Sequence, residues 1–155
     1  GGDDIEILWQ CGNYYKSGVD AFMKQARESG KALTNIHHSD FIGRMDLAYA
    51  AADVVISRSG ASTVSELCAA HKAAIFVPSP NVAEDHQTHN AMALVRKDAA
   101  ILVKDSEAQE KLLPAAIELL ADSERVRSMQ ENIAKLAKTD AAMTIAEEAY
   151  KLIGK

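Results

Sequence analysis

Apolar residues along this chain fall into two alternating patterns. Short runs, at Ile5 to Cys11, Leu33 to His38, Asp53 to Ile56, Ala73 to Val77 and Ala99 to Val103, have the length of strands. Between them, apolar positions recur every three or four residues, as on helices packed against a sheet. Ser17 can cap a helix running to about Glu28, with Val19, Phe22, Met23 and Ala26 on one face, and Ser29-Gly30 stops it. Asp46 can cap a shorter helix, Leu47 to Ala52. A third helix carries Val64, Leu67, Cys68 and Ala69 to Ala70, and a fourth opens at Glu84 and continues through Met92, Leu94 and Val95 to Lys97. Strand alternating with helix predicts an α/β fold with a parallel sheet flanked by helices.

The tail is helical. Leu112, Leu113, Ala116, Ile117 and Leu120 share one face, Val126, Met129, Ile133, Leu136 and Ala137 a second, and Ile145, Ala149 and Leu152 a third. Pro114 leaves two starts open: a helix from near Leu113, or one from Ser106 that kinks where the proline removes a donor.

Composition narrows the class. At 155 residues the length suits one domain, Gly1 to Lys155, and a 5% aromatic content makes its core aliphatic. A formal charge of -5, with acidic and basic residues interspersed, argues against a nucleic-acid partner. No apolar run is long enough to cross a bilayer, and no signal-peptide pattern is present. Cys11 and Cys68, both in expected buried segments, read as free thiols.

In an open parallel sheet, ligands lie beyond the carboxyl ends of the strands. Three loops leave such ends: Phe41 to Gly43, Ser57 to Thr63, and Pro78 to Gln87. The second, Ser57-Arg58-Ser59-Gly60-Ala61-Ser62-Thr63, turns from a strand into a helix start, whose open N–H groups and dipole suit a diphosphate. Ser59, Ser62 and Thr63 can add hydroxyl donors. Glu66, one turn on, repels phosphate but accepts well from two sugar hydroxyls. The same residues also fit a capping box, Thr63 to Glu66, in which nothing is bound. Arg58 can hold phosphate or form a surface salt bridge. The third loop offers Asp85, His86, Gln87 and Asn90 for hydroxyls and amides, although Asp85 also fits a helix cap. His86 and His89 have a spacing that metal ligands use, but no Cys or Glu set surrounds them, and no metal or cofactor is expected. His37 and His38 point to opposite faces of a strand, and His71 suits a solvated helix end. No Walker lysine, G-x-G-x-x-G or nucleophile elbow is present, which argues against hydrolase chemistry.

Phe41-Ile42, Met45 to Ala52, Arg58-Ser59-Gly60-Ala61-x-Thr63-x-x-Glu66 and Glu84-Asp85-His86-Gln87-x-x-Asn90-Ala91 together resemble the C-terminal domain of the MurG family, family 28 glycosyltransferases, from about Ile5 to the C-terminus. The resemblance implies a Rossmann-like sheet, the C-terminal half of a GT-B enzyme truncated at its N-terminus. It implies an inverting transfer of N-acetylglucosamine (GlcNAc) from UDP-GlcNAc to lipid I, giving lipid II for peptidoglycan. Ile42 would meet uracil through its backbone, Gly60, Ala61, Ser62 and Thr63 would cradle the diphosphate, Glu66 would bind the ribose, and His86 and Gln87 would contact GlcNAc. His86 departs from relatives that carry Gln, and Ser62 from relatives with an aliphatic residue. The catalytic base, the lipid I site and the membrane contact would belong to the absent half, leaving no catalytic residue here and this chain alone inactive. The whole enzyme would be cytoplasmic and peripheral on the inner membrane face. Rival readings are a stand-alone UDP-GlcNAc-binding subunit that needs a membrane partner, a related UDP-sugar lipid glycosyltransferase, and a structural α/β module.

Overall fold

The computed structural model describes residues 5–81 and 86–138. The chain divides into two compact units, Gly1–Ala48 and Tyr49–Lys155. In the first, β1 (Ile7–Gln10) and β2 (Ile36–Ser39) pair in parallel, with Ile7 opposite Ile36 and Gln10 opposite Ser39. α1 (Lys16–Glu28) connects them. It does not start from a Ser17 cap: Tyr15 holds the cap position without a side-chain bond. The first turn is braced instead by Lys16 Nζ on Asp20, 2.6 Å away. Met23 and Ala26 are buried as expected, whereas Phe22 is 61% exposed. Adjacent residues on a helix point about 100° apart, so the buried stripe is narrower than the four-residue face.

Gly30, at φ 83°, closes α1. Its N–H reaches Arg27 O, and that of Lys31 reaches Ala26 O, the paired bonds of a left-handed helix terminus. β2 starts at Ile36 rather than Leu33 because the preceding residues turn: Ile36 N–H reaches Leu33 O, and Asn35 Nδ2 donates to Ile5 O at 2.8 Å. His37 and His38 take opposite sides, one against Glu6 and the other against Asp20. α2 (Met45–Ala51) follows. Asp46 lies within its first turn, held by Arg44 at 2.8 Å, instead of capping it.

The second unit is built on a three-stranded parallel sheet in the order β3 (Val54–Ser57), β4 (Ala73–Phe76), β5 (Ala100–Leu102). β4 is central and wholly buried. Its alternate side chains feed two cores, as a strand covered on both faces requires. Ala74 and Phe76 join Val64, Leu67 and Cys68 of α3 (Ala61–Ala70), Ala91 and Leu94 of α4 (His86–Val95), and Ile133 of α6 (Ser123–Lys138). Ala73 and Ile75 join Ala116 and Leu119 of α5 (Ala108–Ala121), and Met129 of α6. Each fully buried Leu, Ile or Phe contributes roughly 1.5–3 kcal/mol.

A 3₁₀ turn, Asp105–Glu107, leads into α5, which runs through Pro114. The helix therefore begins between the two starts the sequence leaves open, and the exposed proline sits within it. Its buried stripe is Ala116 and Leu119 with Leu112 and Ala115, while Leu113 and Ile117, expected on that face, are 58% and 46% exposed. Burial pushes the Cys68 thiol up to about 11, which makes it an inert core residue. Glu84, Asp85 and the expected last helix, with Ile145, Ala149 and Leu152, lie outside the described residues.

α3 ends on His71 in the left-handed conformation, φ 55°, with Lys72 N–H on Leu67 O at 3.2 Å. This is the backbone arrangement that Gly30 adopts without steric cost. Replacing His71 with Gly should relieve more strain than the added freedom of the unfolded chain removes, raising stability by about 0.5 kcal/mol in urea denaturation.

Candidate functional site

The second unit brings two of the predicted loops together. β3 delivers the Ser57 to Thr63 turn, and adjacent β4 delivers Pro78 and Ser79; Val77 N–H donates to Ser57 O at 2.9 Å, extending the pairing into the loops. Three buried polar side chains then bind the two segments to each other. Ser59, with no exposed surface, donates its hydroxyl to Gln87 O at 2.7 Å. Asn90 Nδ2 returns a bond to Ser59 O at 3.0 Å, and Gln87 Oε1 accepts from Ser79 N–H at 2.8 Å. Buried polar groups must be paired, and here the pairing crosses between loops distant in sequence.

Ser59 and Asn90, expected to donate to a ligand, are thus engaged inside the protein. Gln87 shares that task while sitting at the start of α4 beside His86, which is half-buried. Arg58 makes a salt bridge: its Nη1 lies 2.7 Å from Asp105 and donates to the Val77 and Pro78 carbonyls at 3.1 and 3.3 Å. It ties the end of β3 to the end of β4 and to the turn before α5.

Gly60, which has no side chain to offer, holds the cap position of α3 with φ -63° and ψ 151°. The first helical bond runs from Val64 N–H to Gly60 O at 3.0 Å. The amides of Ala61, Ser62 and Thr63 therefore lack intrahelical partners and carry the positive end of the helix dipole. Any residue could adopt the backbone of Gly60, and among the described residues a Cβ added there would meet nothing within 4 Å. Among the described residues, neither backbone conformation nor packing calls for glycine, and the helix start stands open.

The Thr63 to Glu66 capping box does not form, because the helix begins at Ala61. Glu66 is exposed, and its Oε2 accepts from the Tyr49 hydroxyl at 3.1 Å. Tyr49 escapes sequence reasoning; the only signal is a hydroxyl-bearing ring in the otherwise small apolar run Ala48 to Ala52. Burial first, then the Glu66 carboxylate, pushes its phenol up to about 12. Ile42 belongs to the first unit, where its N–H donates to Gln10 Oε1 at 2.9 Å. Asp85 lies outside the described residues. Among the described residues no three His, Cys, Asp or Glu side chains cluster as a metal site, and no helix is long and apolar enough to cross a membrane.

A parallel α/β sheet with a helix start at its carboxyl edge defines a Rossmann-like domain. The chain belongs to the glycosyltransferase family 28 C-terminal domain, which matches residues 2–147. Relatives named UDP-N-acetylglucosamine--N-acetylmuramyl-(pentapeptide) pyrophosphoryl-undecaprenol N-acetylglucosamine transferase include one from Bacteroides thetaiotaomicron, 52% identical over 97% of this chain and 39% of its own length. Another, from Flavobacterium psychrophilum, is 47% identical over 97% of this chain and 39% of its own. The crystal structure of Acinetobacter baumannii MurG is 31% identical, with a TM-score of 0.72, over 94% of this chain and 43% of that one. The chain thus spans about two fifths of the length of the curated relatives it matches.

Asn90→Ala leaves the buried Ser59 carbonyl without its side-chain donor and should cost about 2 kcal/mol by urea denaturation. The Tyr49 phenol rises above its ordinary 10.0 in the folded state, so its contribution to stability is complete below that pH and is lost as pH climbs through about 12. Denaturation curves on the two sides of pH 10 should therefore show part of the alkaline loss in the unmodified protein and less of it in Tyr49→Phe.

Proposed function

We propose that this chain is the donor-binding part of an inverting glycosyltransferase that moves GlcNAc from UDP-GlcNAc to lipid I, giving lipid II for peptidoglycan. The observation that carries the reading is 52% identity, over 97% of this chain, to a relative named as the corresponding transferase. The geometry supports it. Gly60 leaves the Ala61, Ser62 and Thr63 amides approachable, and those amides with the helix dipole suit a diphosphate. Glu66, exposed beyond the first turn, accepts the two ribose hydroxyls. Gln87 and His86, at the start of α4, face the sugar, with Asp85 preceding them. Arg58, Ser59 and Asn90 serve this site by holding its loops.

In this reading a lipid I hydroxyl attacks C1 of the sugar from the face opposite UDP, and the bond to the diphosphate oxygen breaks as the new one forms. The negative charge left on UDP develops against the α3 amides, which are fixed before the reaction starts. Lipid I, the group that accepts the hydroxyl proton, and the contact with the inner face of the cytoplasmic membrane belong to the remainder of the longer protein. No metal or organic cofactor enters the scheme.

Isothermal titration of this chain with UDP-GlcNAc, UDP-glucose and UDP tests the reading. UDP-GlcNAc should bind best, and Glu66→Ala should bind it roughly tenfold more weakly, the equivalent of a lost charge-assisted pair of hydrogen bonds. Gly60→Ala should keep its folding stability and lose donor affinity, because among the described residues the added methyl meets nothing within 4 Å and it would stand where the diphosphate lies. Unchanged affinity in both variants would overturn the assignment.

A further inference from the structure

Glu66 carries the ribose contact in the reading above, yet nothing on its own helix fixes it. It lies past the first turn of α3, and a glutamate has three rotatable side-chain bonds. Among the described residues, its hydrogen-bond partner is the hydroxyl of Tyr49, seventeen positions earlier on α2. The Tyr49 ring, in turn, packs against the core cluster that holds Val64, Leu67 and Cys68 of the same α3 helix. A ring with two torsions, seated on the body of the helix, places a donor beside one carboxylate oxygen.

We propose that Tyr49 is a positioning residue for donor recognition: its hydroxyl orients the Glu66 carboxylate so that both oxygens can accept the two vicinal hydroxyls of a ribose. The inference rests on the assignment of Glu66 to the ribose. A carboxylate has about four acceptor directions, and one bond from Tyr49 to Oε2 leaves enough for both ligand hydroxyls. Holding the side chain in advance lowers what the ligand must spend on ordering it. The phenol stays protonated, hence a donor, up to about pH 12. Tyr49 itself makes no contact with the ligand in this scheme.

The test uses this chain with UDP and with its 2′,3′-dideoxy analogue, which lacks both hydroxyls. Tyr49→Phe keeps the ring in its seat and removes only the oxygen. It should weaken UDP about three- to tenfold and leave the dideoxy analogue unchanged. Combined with Glu66→Ala, it should add no further loss, as expected for two residues acting through one contact. An equal loss for both ligands would mean that Tyr49 acts only on the fold, and an additive loss in the double variant would mean that it meets the ligand itself; either overturns the proposal. Weakening by Glu66→Ala but not by Tyr49→Phe would overturn the positioning role and leave the ribose assignment standing. Full UDP affinity in Glu66→Ala, or no UDP binding by the unmodified chain, would remove both.

Discussion

Ser59, Gln87 and Asn90 are buried polar side chains at the edge of an aliphatic core, and their mutual hydrogen bonds are the constraint on which the site depends. An unpaired polar group there would cost about 1–3 kcal/mol, so each bond also enforces the others. Satisfying them forces the turn after β3 and the start of α4 into a single arrangement. The open end of α3 and the beginning of α4 are thus set relative to each other before any ligand arrives. Arg58 reinforces this from outside, bridging two strand ends and Asp105.

Beneath these bonds lies β4, whose alternating side chains serve a core on each face. Small residues at Ala73 and Ala74 leave room for Ile75 and Phe76 to anchor the two layers, and α6 contributes to both through Met129 and Ile133. A rigid central strand gives the loops beyond it a fixed base. The proposed diphosphate and ribose contacts use what the described residues leave open: the start of α3 behind Gly60, and the exposed Glu66 carboxylate, which is hydrogen-bonded from another helix.

Much of this was legible in the sequence. Continuous apolar runs announced the buried strands, and Ser57 to Thr63 was readable as a strand-to-helix turn because glycine, hydroxyls and a new apolar period coincide there. Side-chain partners were not legible. Ser59 and Asn90 have the chemistry of ligand donors, and only three-dimensional burial shows that each is spent on the other's loop. Arg58 finds Asp105 across 47 positions, a pairing that no local spacing encodes. Local competition also moved boundaries: an ion pair, Lys16 with Asp20, replaced the Ser17 cap, and Glu66 chose Tyr49 over the helix start. On α5, Leu113 and Ile117 differ from the buried Ala116 and Leu119 in their angular position, not in polarity, so periodicity could not separate them.

A diphosphate seated on the open start of α3 would be reported directly by amide chemical shifts. In a titration of the labelled chain, UDP should move the Ala61, Ser62 and Thr63 amide resonances in proportion to saturation, while uridine, which lacks the phosphates, should leave those three in place. Saturable UDP binding with the three amides unmoved would contradict the account and place the diphosphate elsewhere.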